Sequence, residues 1–562
     1  MPNSDKRWIG WLAGGFVGGG LLALGLVLGA RALFGEDAPV SALGAPRLVE
    51  ETATAGLDHA YDGDFQFFVG GGVAAFDCDD DGLPDLYLAG GATPASLFHN
   101  DSEVGGALRF TRLADSATDL TGVTGAYPLD IDGDGLLDLA VLRVGEDVLL
   151  RGLGGCRFER ANEAWLFDGG KAWTAAFSAK WEGDAAFPTL AFGNYLALDE
   201  AGEPTLTCED SVLLRPGAAG GYPAATTLSP GYCTLSVLFS DWDRSGRVDL
   251  RMANDRHYYR DGEEQLWRVA AGEAPRLYTR DEGWQRLVIW GMGLASVDLT
   301  GDGLPEVLIA SQGDNKLQTL DPGATGPSYH DIAIRRGVTA HRPFMGDVTL
   351  PSTAWHPEFQ DVNNDGFIDL YISKGNVEAM EGFAAEDPSN LLLGQPDGTF
   401  VEGARAAGLI SLGRSRGAAL ADFNLDGLLD LVEVERRENV RLWRNTGSGD
   451  AAAPAAMGHW LAVQLEQPGP NGYAVGAWIE VRAGGRTVLR ELTVGGGHAG
   501  GQLGWIHFGL GDSGSAEIRI QWPDGETGPW QRVAADSFAV IVRDGSGPRY
   551  WVPGRGDPRG SE

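Results

Sequence analysis

Basic residues, histidine and cysteine are the scarce components of this chain, and each shortage narrows what it can do. Lysine and arginine number 43 against 78 aspartates and glutamates, for a net charge of −35 over 562 residues. Such a surface repels phosphate backbones and anionic headgroups, which argues against nucleic acid or an anionic membrane as a partner. The nine histidines are scattered. Of these, His356 and His498 read as hydrogen-bonded structural residues. No G-x-S-x-G elbow, H-E-x-x-H helix or Walker loop occurs, so no catalytic residue is assigned. The four cysteines contain no C-x-x-C pair. Cys208 and Cys233 flank a Gly/Pro-rich insertion, and in an exported chain they are expected to bridge. That bridge closes a loop of about 25 residues and is worth about 3 kcal/mol in chain entropy. Cys78 and Cys156 either pair with each other or stay free, since four cysteines allow three connectivities.

What the chain has in excess is glycine, at 84 residues, and a repeated acidic loop. The stretch DIDGDGLLDLAVL places Asp130, Asp132, Asp134 and Asp138 at positions 1, 3, 5 and 9, with Gly135 at position 6. A sharp turn at that position needs a residue without Cβ strain. The apolar run from Leu139 to Leu142 reads as a buried strand. Carboxylates about 5 Å apart repel by about 3 kcal/mol per pair at an effective dielectric of about 20, so the loop calls for a cation. Oxygen-only ligands on a flexible backbone suit Ca²⁺ better than Mg²⁺ or a transition metal. The loop differs from an EF-hand in lacking a glutamate at position 12 and in running into a strand rather than a helix.

Five further loops share the pattern. Their candidate ligands are Asp77, Asp79, Asp81 and Asp85; Asp241, Asp243, Ser245 and Asp249; Asp298, Thr300, Asp302 and Glu306; Asp361, Asn363, Asp365 and Asp369; and Asp422, Asn424, Asp426 and Asp430. The intervals between loop starts are about 53, 111, 57, 63 and 61 residues, which is the mark of a repeat array. The long interval holds two periods. A unit that has lost its loop fits at WEGDAAFPTLAFGN (181–194), with Thr189 at position 9 and Trp181, Gly183 and Ala185 in place of ligands. Units of about 50–60 residues rich in short strands suggest propeller blades.

Strand, acidic loop, strand, turn and strand in this order resemble the FG-GAP/VCBS repeats of integrin-type propellers. That resemblance implies Ca²⁺ in the loops and an adhesion or binding role. A small-residue linker (448–457) precedes a segment of strands and hairpins without metal loops, WLAVQL, AWIEVRAGGRTVLRELTV and AEIRIQW. Here GYAVGAWIEV, RELTVGGGHAGGQ, HFGLG and IQWPDG resemble, in order, the ASPIC/UnbV (cartilage acidic protein-like) family. His498 departs from the aromatic residue expected near that position, and the resemblance names no reaction.

At the other end, residues 8–30 form an uncharged apolar stretch, about 34 Å long as a helix and enough to span a bilayer. Lys6 and Arg7 before it favour a cytoplasmic N-terminus, and a cleaved signal peptide is the rival reading. The Arg555–Gly556–Asp557 tripeptide reads as chance.

The expected fold is all-β: a seven-bladed FG-GAP-type β-propeller with one blade lacking a metal loop, then a β-sandwich, preceded by a transmembrane helix. The expected boundaries are 1–7 cytoplasmic, 8–30 anchor, 31–45 linker, 46–447 propeller, 448–457 linker, 458–544 sandwich and 545–562 flexible tail. The expected function is an extracytoplasmic Ca²⁺-binding module for a protein or glycan at the cell surface, tethered through the N-terminal helix or secreted if that segment is cleaved. The alternative is an extracytoplasmic enzyme, such as a glycan hydrolase, using the propeller face.

Overall fold

A computed structural model describes residues 42–114, 117–255 and 261–560. The segments read as cytoplasmic N-terminus and membrane anchor, 1–7 and 8–30, lie outside these. Among the described residues no helix is long and apolar enough to cross a membrane.

The chain is all-β, with helices of at most one turn. Six four-stranded antiparallel groups follow one another, beginning with strands Val73–Phe76, Val123–Leu129, Thr174–Lys180, Thr234–Ser240, Gly291–Val297 and Ala354–Gln360. A seventh sheet begins at Ser415–Ala421 and takes its fourth strand from the start of the chain, where Leu48–Glu50 pairs with Trp443–Asn445. Each first strand packs on the first strand of the next sheet, and the seventh packs back on the first. The second strands, such as Asp138–Arg143 and Asp430–Glu435, have little or no exposure on either face. In six of the seven sheets the register slips near the start of the first strand, as between Val123 and Gly125. The sequence repeat is thus also a repeat of local geometry.

Two more four-stranded sheets follow. One is Ile506–Gly511, His459–Glu466, Ser537–Val542 and Pro548–Trp551; the other is Arg486–Glu491, Trp478–Ala483, Ser515–Gln521 and Gln531–Ala534. Leu461, Val463, Ile479, Val481, Ile518 and Ile541 belong to one buried apolar cluster. The strand Pro548–Trp551 corrects the reading of 545–562 as a tail: it pairs with Phe538–Ile541, and Trp551 is buried. The hydrophobic contact made by Trp551 outweighs the Pro/Gly content around it.

The glycine-rich stretch 492–504 leaves these sheets and enters the ring of first strands. Val494 O accepts from Ala179 N, Gly496 N donates to Val237 O and Gly497 N to Leu294 O, while Ala499 O accepts from Ala126 N. Gly501–Leu503 then pairs in parallel with Ala74–Phe76. His498 N donates to His356 Nδ1 at 3.1 Å, and a Cβ on Gly417 would lie 3.2 Å from His498 O. All seven first strands therefore touch this plug. Glycines on the ring make room for it: a Cβ on Gly125 would fall 1.7 Å from Ala499 O, and one on Gly72 would fall 1.8 Å from it.

Candidate metal centres

Each acidic loop joins a first strand to a second strand. Position 6 is left-handed in all six, with φ from +79° at Gly366 to +92° at Gly135, which explains the invariant glycine. The position-1 carboxylate closes the turn by accepting the position-6 N–H, as in Asp77–Gly82 (2.7 Å), Asp130–Gly135 (3.0 Å) and Asp422–Gly427 (2.7 Å). The position-9 side chain also anchors the loop. Asp138 accepts Ile131 N at 2.6 Å and Gly152 N at 2.7 Å, so it pins the loop to the third strand. Asp85, Asp369 and Asp430 repeat both bonds with their own neighbours. A carboxylate has about four lone-pair positions, so these bonds leave it able to face a cation as well.

The structure brings Asp77, Asp79 and Asp85 together, and likewise Asp130, Asp132 and Asp138, each set with ligand oxygens within 4.8 Å of one another. Among the described residues the other four loops, which carry Ser, Thr or Asn at one ligand position, do not form such a triplet. Burial pushes Asp77 up to about 7, against the Gly82 amide and with the charges of Asp81, Asp80 and Asp79 adding to it. Burial likewise takes Asp130 up to about 7, and Asp241 and Asp426 to about 6. Asp85, Asp138, Asp369 and Asp430 are pushed well above the carboxylate range, first by desolvation.

Several loop oxygens are left without a protein partner. Asp79 Oδ1, Asp132 Oδ1 and Asn424 Oδ1, all at position 3, and Asp241 Oδ1 at position 1 are buried and accept no hydrogen bond among the described residues. A buried acceptor without a donor costs about 1–3 kcal/mol, more when charged. A hard cation among these oxygens removes that penalty, so the donor set fits Ca²⁺.

Sequence reasoning missed the basic side chains that meet the loops. Arg151, the fourth residue of its third strand, reaches Asp132 (2.8 Å) and Asp134 (2.8 Å). His99 stands at the same place in the first sheet and meets Asp79 at 3.1 Å. Arg247, at position 7 of the Asp241 loop, bridges Asp243 (3.1 Å) and Asp249 (3.1 Å). The signal was present: the fourth residue of a third strand sits beside the residue whose N–H binds position 9. In the unit without a metal loop, Thr189 pairs with Lys180 as Asp138 pairs with Leu129, so Thr189 does occupy position 9.

The final two sheets rest on these loops. A Cβ on Gly82 would strike the Trp551 ring at 2.2 Å, and one on Gly427 the Trp460 ring at 2.0 Å. Arg486 donates to Asp365 O at 2.7 Å, and His507 Nε2 meets Asn364 Oδ1 at 2.6 Å. Glu491 accepts Asp241 N at 2.8 Å, and burial raises its carboxyl to about 8.

Residues 467–548 match the family described as ASPIC and UnbV, and residues 77–141 and 361–433 match FG-GAP-like repeats. The chain carries FG-GAP-like repeats and an ASPIC and UnbV segment, in that order. Over 153 residues it is 29% identical to cartilage acidic protein 1 of Mus musculus, covering 25% of this chain and 21% of that protein. The chain thus spans about a fifth of the length of this curated relative.

Among solved structures it is similar to BBS1N in complex with ARL6DN (TM-score 0.36, 10% identity, 74% of this chain and 99% of that one). It is also similar to the extracellular domain of the putative one component system BT4673 from B. thetaiotaomicron (0.36, 9%, 89% and 58%) and to the SapL1 lectin with alpha methyl fucoside (0.33, 11%, 59% and 95%). Scores of this size carry nothing about ligands.

Proposed function

We propose that the chain is a seven-bladed β-propeller with a C-terminal β-sandwich, held together by Ca²⁺ in its acidic loops, and that it works outside the cytoplasm as a binding or scaffolding module for a protein or glycan. The observation that carries the reading is the set of buried, partnerless oxygens at position 3 of three loops. In each competent loop Ca²⁺ would be held by side chains at positions 1, 3, 5 and 9 and the carbonyl at 7, Leu136 in the Asp130 loop. Its charge would offset the carboxylate repulsion that otherwise strains the turn between two buried strands. The bridges Cys78–Cys156 and Cys208–Cys233 support an oxidising compartment. The 8–30 stretch would tether the module to a membrane.

The test is bound calcium by elemental analysis, with melting followed by calorimetry with and without chelator. Saturation at a hundred times the dissociation constant adds about 2.7 kcal/mol per site if only the folded state binds. Chelation is therefore expected to lower the melting temperature, and Asp130→Ala to remove one Ca²⁺ where Thr189→Ala removes none. Undepleted protein without calcium, or identical melting in both conditions, refutes the reading.

A further inference from the structure

In the Asp77 loop the carboxylates at positions 3 and 5 face two ways. Asp79 Oδ1 is buried and accepts no hydrogen bond among the described residues, while Asp79 Oδ2 lies 3.1 Å from His99 Nε2. Asp81 Oδ1 accepts Leu83 N at 2.8 Å, which leaves its Oδ2 for another partner. The neighbouring loop shows where such outward oxygens point: Asp132 Oδ2 and Asp134 Oδ2 are both taken by Arg151, at 2.8 Å each. A ligand atom from each of Asp79, Asp81 and His99 lies within 4.8 Å of the other two. This triplet shares Asp79 with the inner set of Asp77, Asp79 and Asp85 and is otherwise separate from it. Solvent reaches it: the side chains of His99 and Asp79 are 25% and 24% exposed, and Asp81 is half-buried. An ion can therefore arrive without opening the fold.

His99 is the unusual member. It is the fourth residue of its third strand, and the same place in the other loop-bearing sheets holds Arg151, Arg268, Thr319, Leu393 and Arg444. An arginine there supplies charge and N–H donors but no lone pair, whereas a neutral imidazole keeps a lone pair on one nitrogen. Asp101 decides which nitrogen that is. Its Oδ1 lies 2.9 Å from His99 Nδ1, so Nδ1–H donates outward and the lone pair of the neutral ring falls on Nε2, towards Asp79. A carboxylate behind the far nitrogen is the usual support of a metal-bound histidine. Two donors on one tetrahedral Zn²⁺ stand about 3.4 Å apart at bond lengths of about 2.0–2.2 Å, and Nε2 and Asp79 Oδ2 already stand 3.1 Å apart. The donor set selects the metal: Ca²⁺ takes oxygen ligands, whereas imidazole with carboxylates suits Zn²⁺ and its borderline neighbours.

We infer that Asp79, Asp81 and His99 form a second, outer metal site that takes a borderline divalent ion of the Zn²⁺ class. His99 Nε2 and the outward oxygens of Asp79 and Asp81 are its ligands, Asp101 orients the ring, and water fills the remaining position. The inference goes beyond the calcium reading, which places oxygen donors alone in this loop. Calcium content tests that reading and zinc titration tests this one, so either can fail alone.

The experiment uses the full chain saturated with Ca²⁺, titrated with Zn²⁺ by calorimetry and with Co²⁺ by its visible absorption. Zn²⁺ is expected to bind saturably with no loss of bound Ca²⁺ by elemental analysis, and Co²⁺ to give the intense visible band of four-coordination. His99→Arg copies the arrangement at Arg151: it keeps a positive charge against Asp79 and Asp81 and removes the ligand. It is expected to abolish the cobalt band and one Zn²⁺ per chain while calcium content and melting stay in place. His459→Arg, at an exposed histidine paired with Asp536, is expected to leave the cobalt band unchanged. Asp101→Ala is expected to weaken Zn²⁺ about ten- to hundredfold. Should His99→Arg fail to fold, Asp101→Ala decides alone, since the Asp101 side chain is 44% exposed. Absence of saturable Zn²⁺ binding, binding unchanged in His99→Arg, or release of one Ca²⁺ for each Zn²⁺ taken up overturns the inference. Zinc held through His99 by a chain that holds no Ca²⁺ keeps the inference and refutes the calcium reading.

Discussion

His498, at the centre of the plug, should contribute stability that is lost on mild acidification. Its ring is neutral by construction: Nδ1–H donates to Met292 O at 2.9 Å, and Nε2 accepts Gly70 N–H at 3.1 Å. A second proton would set an N–H against the Gly70 N–H in a site already facing Arg416 and His356. Burial, then those two charges, hold its pKa down at about 3, against the pull of the Met292 carbonyl. The unfolded chain takes up that proton near 6.5, so below that pH the unfolded state binds more protons than the folded one. The stabilisation is complete above about 6.5 and is lost as pH falls towards 3. The full depression is worth about 5 kcal/mol, of which about 2 kcal/mol falls between pH 6.5 and 5. Urea unfolding of the wild type and of His498→Gln at several pH values isolates the residue, because every other titrating group cancels in the difference. The wild-type advantage is expected to shrink by about 1.4 kcal/mol per pH unit below pH 6. A difference that does not change with pH refutes the argument.

Three further outcomes are expected. Chelator titration should empty the Asp241 loop first, because Arg247 already bridges Asp243 and Asp249, and Arg247→Ala should tighten calcium there; elemental analysis at stepped chelator concentrations reads both. The double change Cys208→Ser with Cys233→Ser opens a 25-residue loop and should lower unfolding stability by about 3 kcal/mol, measured by denaturant titration. Gly125→Ala forces a methyl group onto the Ala499 carbonyl and should cost at least about 1–3 kcal/mol, with faster limited proteolysis within 492–504.

What could be read in the chain was what it repeats. Six loops in register fixed where first and second strands meet, and the doubled interval located a seventh unit at Thr189 and the strand residues after it, although Trp181, Gly183 and Ala185 replace its ligands. What could not be read depends on partners far apart in sequence. Leu48–Glu50 carries no motif, yet it completes the sheet of Trp443–Asn445 because that sheet otherwise has three strands. Cys78 lies within the first loop and Cys156 after a third strand of the next sheet, and only adjacency of the two sheets pairs them. The run GGGHAGGQ looks like an unstructured turn because its hydrogen bonds are spread over five strands rather than made to one neighbour. The position-9 acid was legible as an acid but not as a clamp on the third strand, since the amide it binds lies 14 or more residues away.

The loops also explain why the C-terminal sheets form one compact unit with the repeats. Trp460, Trp551 and Arg486 contact turns whose shape depends on a left-handed glycine and on a closed position-1 carboxylate. The same C-terminal segment sends residues 492–504 into the ring, where the His498 ring lies 4.9 Å from that of Trp355. A cation in the loops would therefore act on the ring through two connections. It would fix the ends of the first strands, and it would fix the surface on which the plug-bearing sheets rest. Sheets joined only by a linker would leave both connections without force, whereas the buried Trp551 and Trp460 contacts give each of them a physical basis.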